Sequence, residues 1–362
     1  MQARTKYEQI RQHLLRQWHF HGYPGQRIPT EMELAQQFRV NRMTVAKVLR
    51  ALKAEGILQR RRGDGTRLLR IPELEGGPHD PLVELIFPAY QEPNLTSDSY
   101  LNQFLCIFHA QAFQRRWRLQ TRPIPSPLSD DFQLKSPLCS EDTVGVVIGT
   151  PHEDAQQFLL PYLEKLPVPV VGIGWGNLDD GLHHVDICQR TGGWMLANFL
   201  LEREFRHLVF VTSAFDTPAK RRRWGGVQAA LRRYPGKAVC RLVEAPYVPT
   251  FRRAGEECGM LLLELLGQVP VDALIVCDYG LLEGMDQVFQ RKFGKHHRYF
   301  QLPVVTFDLP PHLLSNRFCC TIRQPVSELI GEVFAILDVQ SSGVFPGSSP
   351  VCKTLYPELI TL

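Results

Sequence analysis

Arg42, Thr44 and Lys47 follow Asn41 within one short stretch, and these are side chains that grip nucleic acid. The Arg42 guanidinium has the fork to meet guanine O6 and N7. Thr44 can reach a base or a phosphate, and the Lys47 ammonium is a point charge for a phosphate. A second basic group, Arg60 to Thr66, reads RRRGDGT. Its arginines supply charge, while its glycines permit positive φ and close approach to a sugar-phosphate edge. Groups that make or break bonds are harder to find. The sequence has no Gly-x-Ser-x-Gly elbow, no glycine-rich phosphate loop ending in Lys-Ser or Lys-Thr, and no His-Glu-x-x-His pair. His183-His184 and His296-His297 are adjacent pairs whose rings diverge on a strand, which does not suit a metal. The nine cysteines are scattered without a Cys-x-x-Cys pair, and we read them as buried thiols. The expectation is a non-enzyme with no catalytic residue, no metal and no cofactor.

The elements that must present the basic groups can be followed in order. Tyr7, Ile10, Leu14 and Trp18 recur at spacings of three and four, which puts them on one face of a helix between Thr5 and Gly22. Thr30 and Glu33 form a capping box that opens a short helix, with Leu34, Ala35 and Phe38 facing inward. Arg39 and Val40 turn the chain. Asn41 then caps a third helix with the buried stripe Val45, Val48, Leu49 and Leu52, and Gly56 stops it. This leaves Arg42, Met43, Thr44, Ala46, Lys47 and Arg50 off the stripe, as a recognition helix in the major groove requires. Ile57-Leu58 and Leu68-Leu69 flank the second basic group as the strands of a wing.

Charge supports a separate nucleic-acid-binding unit. Residues 1–70 hold 15 Lys and Arg against 5 Asp and Glu, whereas the remainder holds 26 against 32. A cationic unit suits the phosphate backbone, where neutralised phosphates release counterions. The 362 residues, 44% hydrophobic and 22% charged, suffice for two or three domains with real cores. No apolar run approaches the ~18–20 residues that cross a bilayer, and MQARTKYEQIRQ lacks the apolar centre of a signal peptide. A cytoplasmic chain with no membrane partner is expected.

The order of elements and the residues themselves resemble the winged helix-turn-helix of the GntR family of bacterial transcription regulators, over roughly residues 5–70. Its marks are Pro29-Thr30-Glu31 before Glu33-Leu34-Ala35, then Asn41 to Val45, Leu52 to Gly56, and Arg62 to Thr66. The resemblance implies double-stranded operator DNA as partner. Candidate contacts are Thr30, Arg42, Met43, Thr44, Lys47, Arg61, Arg62, Gly65 and Thr66. Met32 and Ala46 stand where many family members carry basic residues, so those members' contacts do not carry over intact.

Residues 71–81, rich in Pro and Gly and without periodicity, read as a linker. Beyond it, apolar strands alternate with helices: strands at 82–87, 143–149, 167–173, 208–212, 273–277 and 304–307, and helices at 99–116, 153–165, 192–203, 224–233 and 281–293. This βαβ alternation predicts an α/β fold of two lobes with parallel sheets, its ligands at the carboxyl ends of the strands. Residues 82–362 resemble the LacI/GalR sensor, itself similar to periplasmic sugar-binding proteins. The resemblance rests on Val185-Asp186, Gly192-Gly193, Arg221 to Gly226, Ala273 to Gly284, Val304 to Asp308 and Thr321 to Pro325. Glu204 replaces a usual glycine, and Asp278-Tyr279 replaces a usual Asn-Asp pair. Strand ends and resemblance together nominate Arg221 as a clamp on hydroxyls or a carboxylate, and Asp278 and Asp308 as acceptors from hydroxyls. Tyr90 and Trp175 are nominated to stack on a sugar ring. The implied protein is a homodimeric regulator, a repressor released by a sugar effector, with co-repression, activation and a non-sugar effector as the alternatives that the same parts allow. GntR-like heads also occur fused to aminotransferase-like domains, but those need a longer chain and a Schiff-base lysine motif.

Overall fold

The computed structural model describes residues 6–61, 64–72, 81–89, 99–125, 128, 134, 138–140, 142–149, 152–175, 181–215, 217–246, 248, 250–308, 317–341 and 349–362. The expected linker falls mostly outside these residues.

Near the N-terminus, helices α1 (Lys6–His21), α2 (Glu31–Gln37) and α3 (Arg42–Ala54) precede an antiparallel pair, β1 (Leu58–Arg61) and β2 (Gly65–Leu68). The local signals act as written in the sequence. Thr30 Oγ1 accepts from Glu33 N at 3.3 Å while Thr30 N donates to the Glu33 carboxylate at 2.7 Å, which closes the capping box. Asn41 Oδ1 accepts from Met43 N at 2.8 Å and fixes the start of α3. Ile10, Leu14 and Trp18 of α1 pack with Leu34, Val45, Val48, Leu52 and Leu68 in one apolar cluster. Residues 25–28 lie along β2, with Ile28 N donating to Thr66 O and Leu68 N to Gln26 O. The wing is therefore anchored to the helical unit.

A first lobe follows: β3 (Leu82–Ala89), α4 (Ser99–Gln114), β4 (Arg118–Pro125), β5 (Thr143–Gly149), α5 (Glu153–Leu163), β6 (Val170–Ile173) and β7 (His183–Ile187). The chain then crosses into a second lobe: α6 (Gln189–Glu202), β8 (His207–Thr212), α7 (Pro218–Arg233), β9 (Val239–Glu244), α8 (Phe251–Gln268), β10 (Ala273–Val276), α9 (Gly280–Phe293), β11 (Val304–Phe307) and β12 (Phe318–Arg323). It returns for α10 (Val326–Ser341) and β13 (Cys352–Leu355), and crosses again to end in β14 (Glu358–Thr361). The sheet orders are β13-β7-β6-β5-β3-β4 and β14-β12-β11-β10-β8-β9. Neighbours in both sheets are parallel apart from the antiparallel pair of β12 and β14. Central strands such as β5 and β11 are buried on both faces, which is why they read as unbroken apolar runs.

Two local features bear on the site. In the first lobe, the wholly buried Glu84 of β3 receives Arg122 of β4 at 2.5 Å and Cys139 N at 2.8 Å, tying an edge strand to its neighbour. In the second, α6 and α7 touch backbone to backbone. A Cβ on Gly193 would stand 2.0 Å from the Arg223 carbonyl oxygen, and one on Gly226 would stand 2.0 Å from that of Arg190. Only glycine allows this approach. It presses the middle of α7 against the start of α6, where the first lobe hands over to the second.

The cysteine expectation needs correcting. Cys258, Cys277 and Cys320 are buried free thiols, but Cys106 and Cys352 are exposed, because each lies on an outward position of its element.

Candidate DNA-reading face and effector cleft

The α3 N-terminus presents Arg42 and Met43 to solvent, Met43 being 70% exposed. Arg42 is held at 3.1 Å by Glu31, the first residue of α2, which aims the guanidinium without burying it. Thr44 is half-buried on the same helix. Lys47 is exposed, with its ammonium 5.5 Å from the Tyr7 ring centroid. Thr30 is exposed beside this face, but its hydroxyl is occupied in the capping box. Gly65 has φ +82 and begins β2, and Thr66 follows it. Asp64 pairs with Arg67 at 2.7 Å, and Arg67 also donates to Gly25 O at 2.5 Å, which braces the base of the wing. The Arg61 side chain and Arg62 lie outside the described residues.

Between the lobes is a cavity of about 150 Å³, bounded by Tyr100, His152 and Asp186 from the first lobe and Lys220, Thr250 and Asp278 from the second, among others. That is roughly ten times the ~10–15 Å³ that one water occupies, so it is a ligand-sized space. At its floor, Arg223 donates to Asp278 Oδ1 at 3.0 Å, to Cys277 O at 2.7 Å and to Gln189 Oε1 at 2.8 Å, and its guanidinium stacks 3.8 Å from the Phe307 ring centroid. Asp308 follows β11 with φ +48, a conformation Asp tolerates better than most residues. Its carboxylate accepts from Gln324 N at 3.1 Å and from the Gln324 side-chain amide. Gln189 Nε2 in turn donates to Gln324 Oε1 at 2.6 Å. Gln189 and Gln324 stand at two of the crossings between lobes. Asp278, Arg223, Gln189, Gln324 and Asp308 therefore form one hydrogen-bonded chain from the ligand floor into the hinge. Burial raises the Asp308 carboxyl above the ordinary carboxylate range, against the lowering influence of Arg223 and Gln324. Burial likewise raises Asp186, opposed by the charge of Arg222.

Asp278 and Asp308 thus meet at the cleft as expected from their strand ends. Arg221 does not. It pairs instead with Glu153 at the start of α5 and donates to Phe215 O at 2.5 Å, on the outer side of the cleft. The reason is that α7 begins at Pro218, not near Trp224. On a helix, successive residues point about 100° apart, so Arg221, Arg222 and Arg223 fan out and Arg223 takes the floor. Arg222 meets Asp186 of the first lobe at 3.3 Å. Trp175 is also corrected: its indole is 1% exposed and packs with Leu159, Val170 and Leu182 in the first-lobe core. Tyr90 lies outside the described residues. The aromatic walls of the cleft are Tyr100, Phe251, Tyr279 and Phe307. The sequence alone does not nominate Gln189, Arg223 and Gln324, although all three sit in segments whose polar character interrupts apolar strands and helices. Among the described residues no group of three or more His, Cys, Asp or Glu could hold a metal. No helix of the described residues is long and apolar enough to cross a membrane.

Residues 3–68 match the model of the bacterial regulatory proteins, gntR family. The arabinose metabolism transcriptional repressor of Geobacillus stearothermophilus is 42% identical over 67 residues, 18% of either chain. The HTH-type transcriptional regulator GmuR of Bacillus subtilis is 41% identical over 180 residues, 49% of this chain and 66% of that one. The chain thus spans less than two thirds of the length of each. A solved complex of the transcriptional regulator CelR with cellobiose covers 92% of this chain and 99% of its own, with a TM-score of 0.60 at 17% identity. That similarity shows the fold.

Proposed function

We propose that this chain, whose N-terminal unit is a GntR-type winged helix-turn-helix and whose remainder has the two-lobed fold of LacI-type regulators, is a sequence-specific transcription regulator controlled by a small molecule. Residues 1–70 bind operator DNA, 71–81 link, and 82–362 sense and dimerise. The chain acts in the cytoplasm as a homodimer, one head on each half-site of a two-fold operator. It is not an enzyme. It represses, and a sugar held between the lobes releases it. The observation that carries the reading is the cavity floor, where Arg223 is bonded to Asp278 beside Asp308, carboxylates that can accept from hydroxyls. Effector binding favours one lobe geometry, and the lobes reposition the heads. Repressor and sugar-binding roles in the relatives' names support the sign and the ligand class.

The test starts with selection of duplexes from a random pool by the full chain. The selected duplex is then titrated with the chain in the presence of L-arabinose, D-ribose, cellobiose and related sugars. A recurring two-fold sequence whose affinity falls with one of these sugars is expected. A chain that selects no sequence would remove the regulator reading.

A further inference from the structure

We propose that the cleft is made for an uncharged, polyhydroxylated ligand and rejects the phosphate ester of that ligand. The inference rests on the sensor reading above and narrows it.

Charge is the first ground. Among the described lining residues, Lys220, Arg222 and Arg223 face Asp186, Asp278 and Asp308, so the wall is neutral before any ligand arrives. A phosphate monoester carries roughly −1.5 to −2 charges at neutral pH. Neutral walls leave that charge uncompensated after its water is stripped.

Commitment of the cations is the second. Arg223 is bound to Asp278 at 3.0 Å, and Arg222 to Asp186 at 3.3 Å. Lys220 Nζ donates to Ser213 Oγ at 2.6 Å. A phosphate would have to share both guanidiniums with the carboxylates already bound to them and sit beside those carboxylates.

An acceptor without a donor is the third. Asp278 Oδ2 is shielded from water and accepts no hydrogen bond from the described residues. A ligand hydroxyl supplies the missing donor, whereas the oxygens of an ionised phosphate only accept. The walls complete the match: Tyr100, Phe251 and Tyr279 line the cleft with aromatic surface for the C–H groups of a pyranose or furanose.

The test uses the full chain, with inorganic phosphate as the probe of anion tolerance. Wild type and the double variant Asp278→Asn, Asp308→Asn are melted in phosphate and in chloride of equal ionic strength, so that the basic head contributes equally to both. The variant cleft is cationic, and phosphate should raise its melting temperature by about 2 °C or more beyond the wild-type response. A wild-type response as large as the variant's overturns the proposal. A second arm needs no variant. Wild type is titrated with D-fructose and fructose 1-phosphate, D-ribose and ribose 5-phosphate, and D-glucose and glucose 6-phosphate. In any pair that binds, the neutral member should be tighter by about 10-fold or more, a difference of about 1.4 kcal/mol. An ester that binds as tightly as its parent overturns the neutral preference while leaving the regulator reading intact. Silence from every pair counts against the sugar reading alone, and the phosphate arm still decides the charge preference.

Discussion

Arg42 and Arg223 are the same residue type put to opposite uses. Arg42 keeps a 67% exposed side chain and a single carboxylate partner, Glu31. Arg223 is 7% exposed and is fixed by a carboxylate, a carbonyl, an amide and an aromatic face. An exposed, lightly held arginine stays hydrated and can exchange its carboxylate for a base edge or a phosphate at little cost. A buried, fully satisfied arginine cannot leave without stranding its partners, so it gives a cleft its shape. Recognition of a polyanion calls for the first arrangement. Discrimination among small neutral molecules calls for the second.

The sharpest way to break this contrast is Arg223→Ala, which leaves Asp278 and Asp308 uncompensated. It should destabilise the sensor by about 3–5 kcal/mol in denaturant unfolding and abolish the effector response. Arg42→Ala should behave oppositely. Its cost in selected-duplex affinity is about 1–3 kcal/mol, while unfolding stability stays within about 0.5 kcal/mol of wild type. An equal loss of stability in the two variants would erase the distinction. Glu204→Gly tests a smaller effect. Glu204 holds φ +67 where glycine is usual in similar sensors, so the variant should gain about 1 kcal/mol in unfolding stability without altering either site. Finally, Asp308→Asn should change a slope. A carboxyl whose pKa is higher folded than unfolded adds stability that is full below the unfolded value and is lost as pH rises through the folded value. Burial raises Asp308 in this way, so the variant's melting temperature relative to wild type should climb from the carboxylate range toward neutral pH. A pH-independent difference would remove burial as the cause.

The two regions were also unequally legible. In the head, every element is set by signals within a few residues: the Thr30 and Glu33 box, the Asn41 cap, and the Ile10, Leu14 and Trp18 stripe. In the sensor, the unbroken apolar strands are legible, and the expected bounds 143–149 and 304–307 coincide with β5 and β11, whereas His183, His184 and Asp186 disguise the buried β7. β4 went unread because Pro123 and Pro125 oppose a strand, yet an edge position tolerates them. α8 was hidden by Gly255, Gly259 and Gly267. The error that mattered for the site was at α7. Lys220 to Arg223 carries no apolar period, so the helix seemed to start at Trp224 and Arg221 seemed to project from a strand end. The close approach of Gly193 to the Arg223 carbonyl and of Gly226 to the Arg190 carbonyl seats α7 with Arg223 toward the floor, and such long-range contacts are not visible in local sequence. The role of Gln189 and Gln324 is equally non-local, since 135 positions separate them in the chain.

The central claim is that a ligand on the Arg223 floor changes the grip of the heads on DNA. It is tested most directly by anisotropy titration of the selected duplex with wild type and Arg223→Lys, each with and without the sugars named above. The account predicts that one neutral sugar shifts wild-type affinity by about 5- to 150-fold and leaves the variant's affinity unmoved. An undiminished sugar response in the variant, or sugar binding that leaves wild-type affinity for the duplex unchanged, would contradict it.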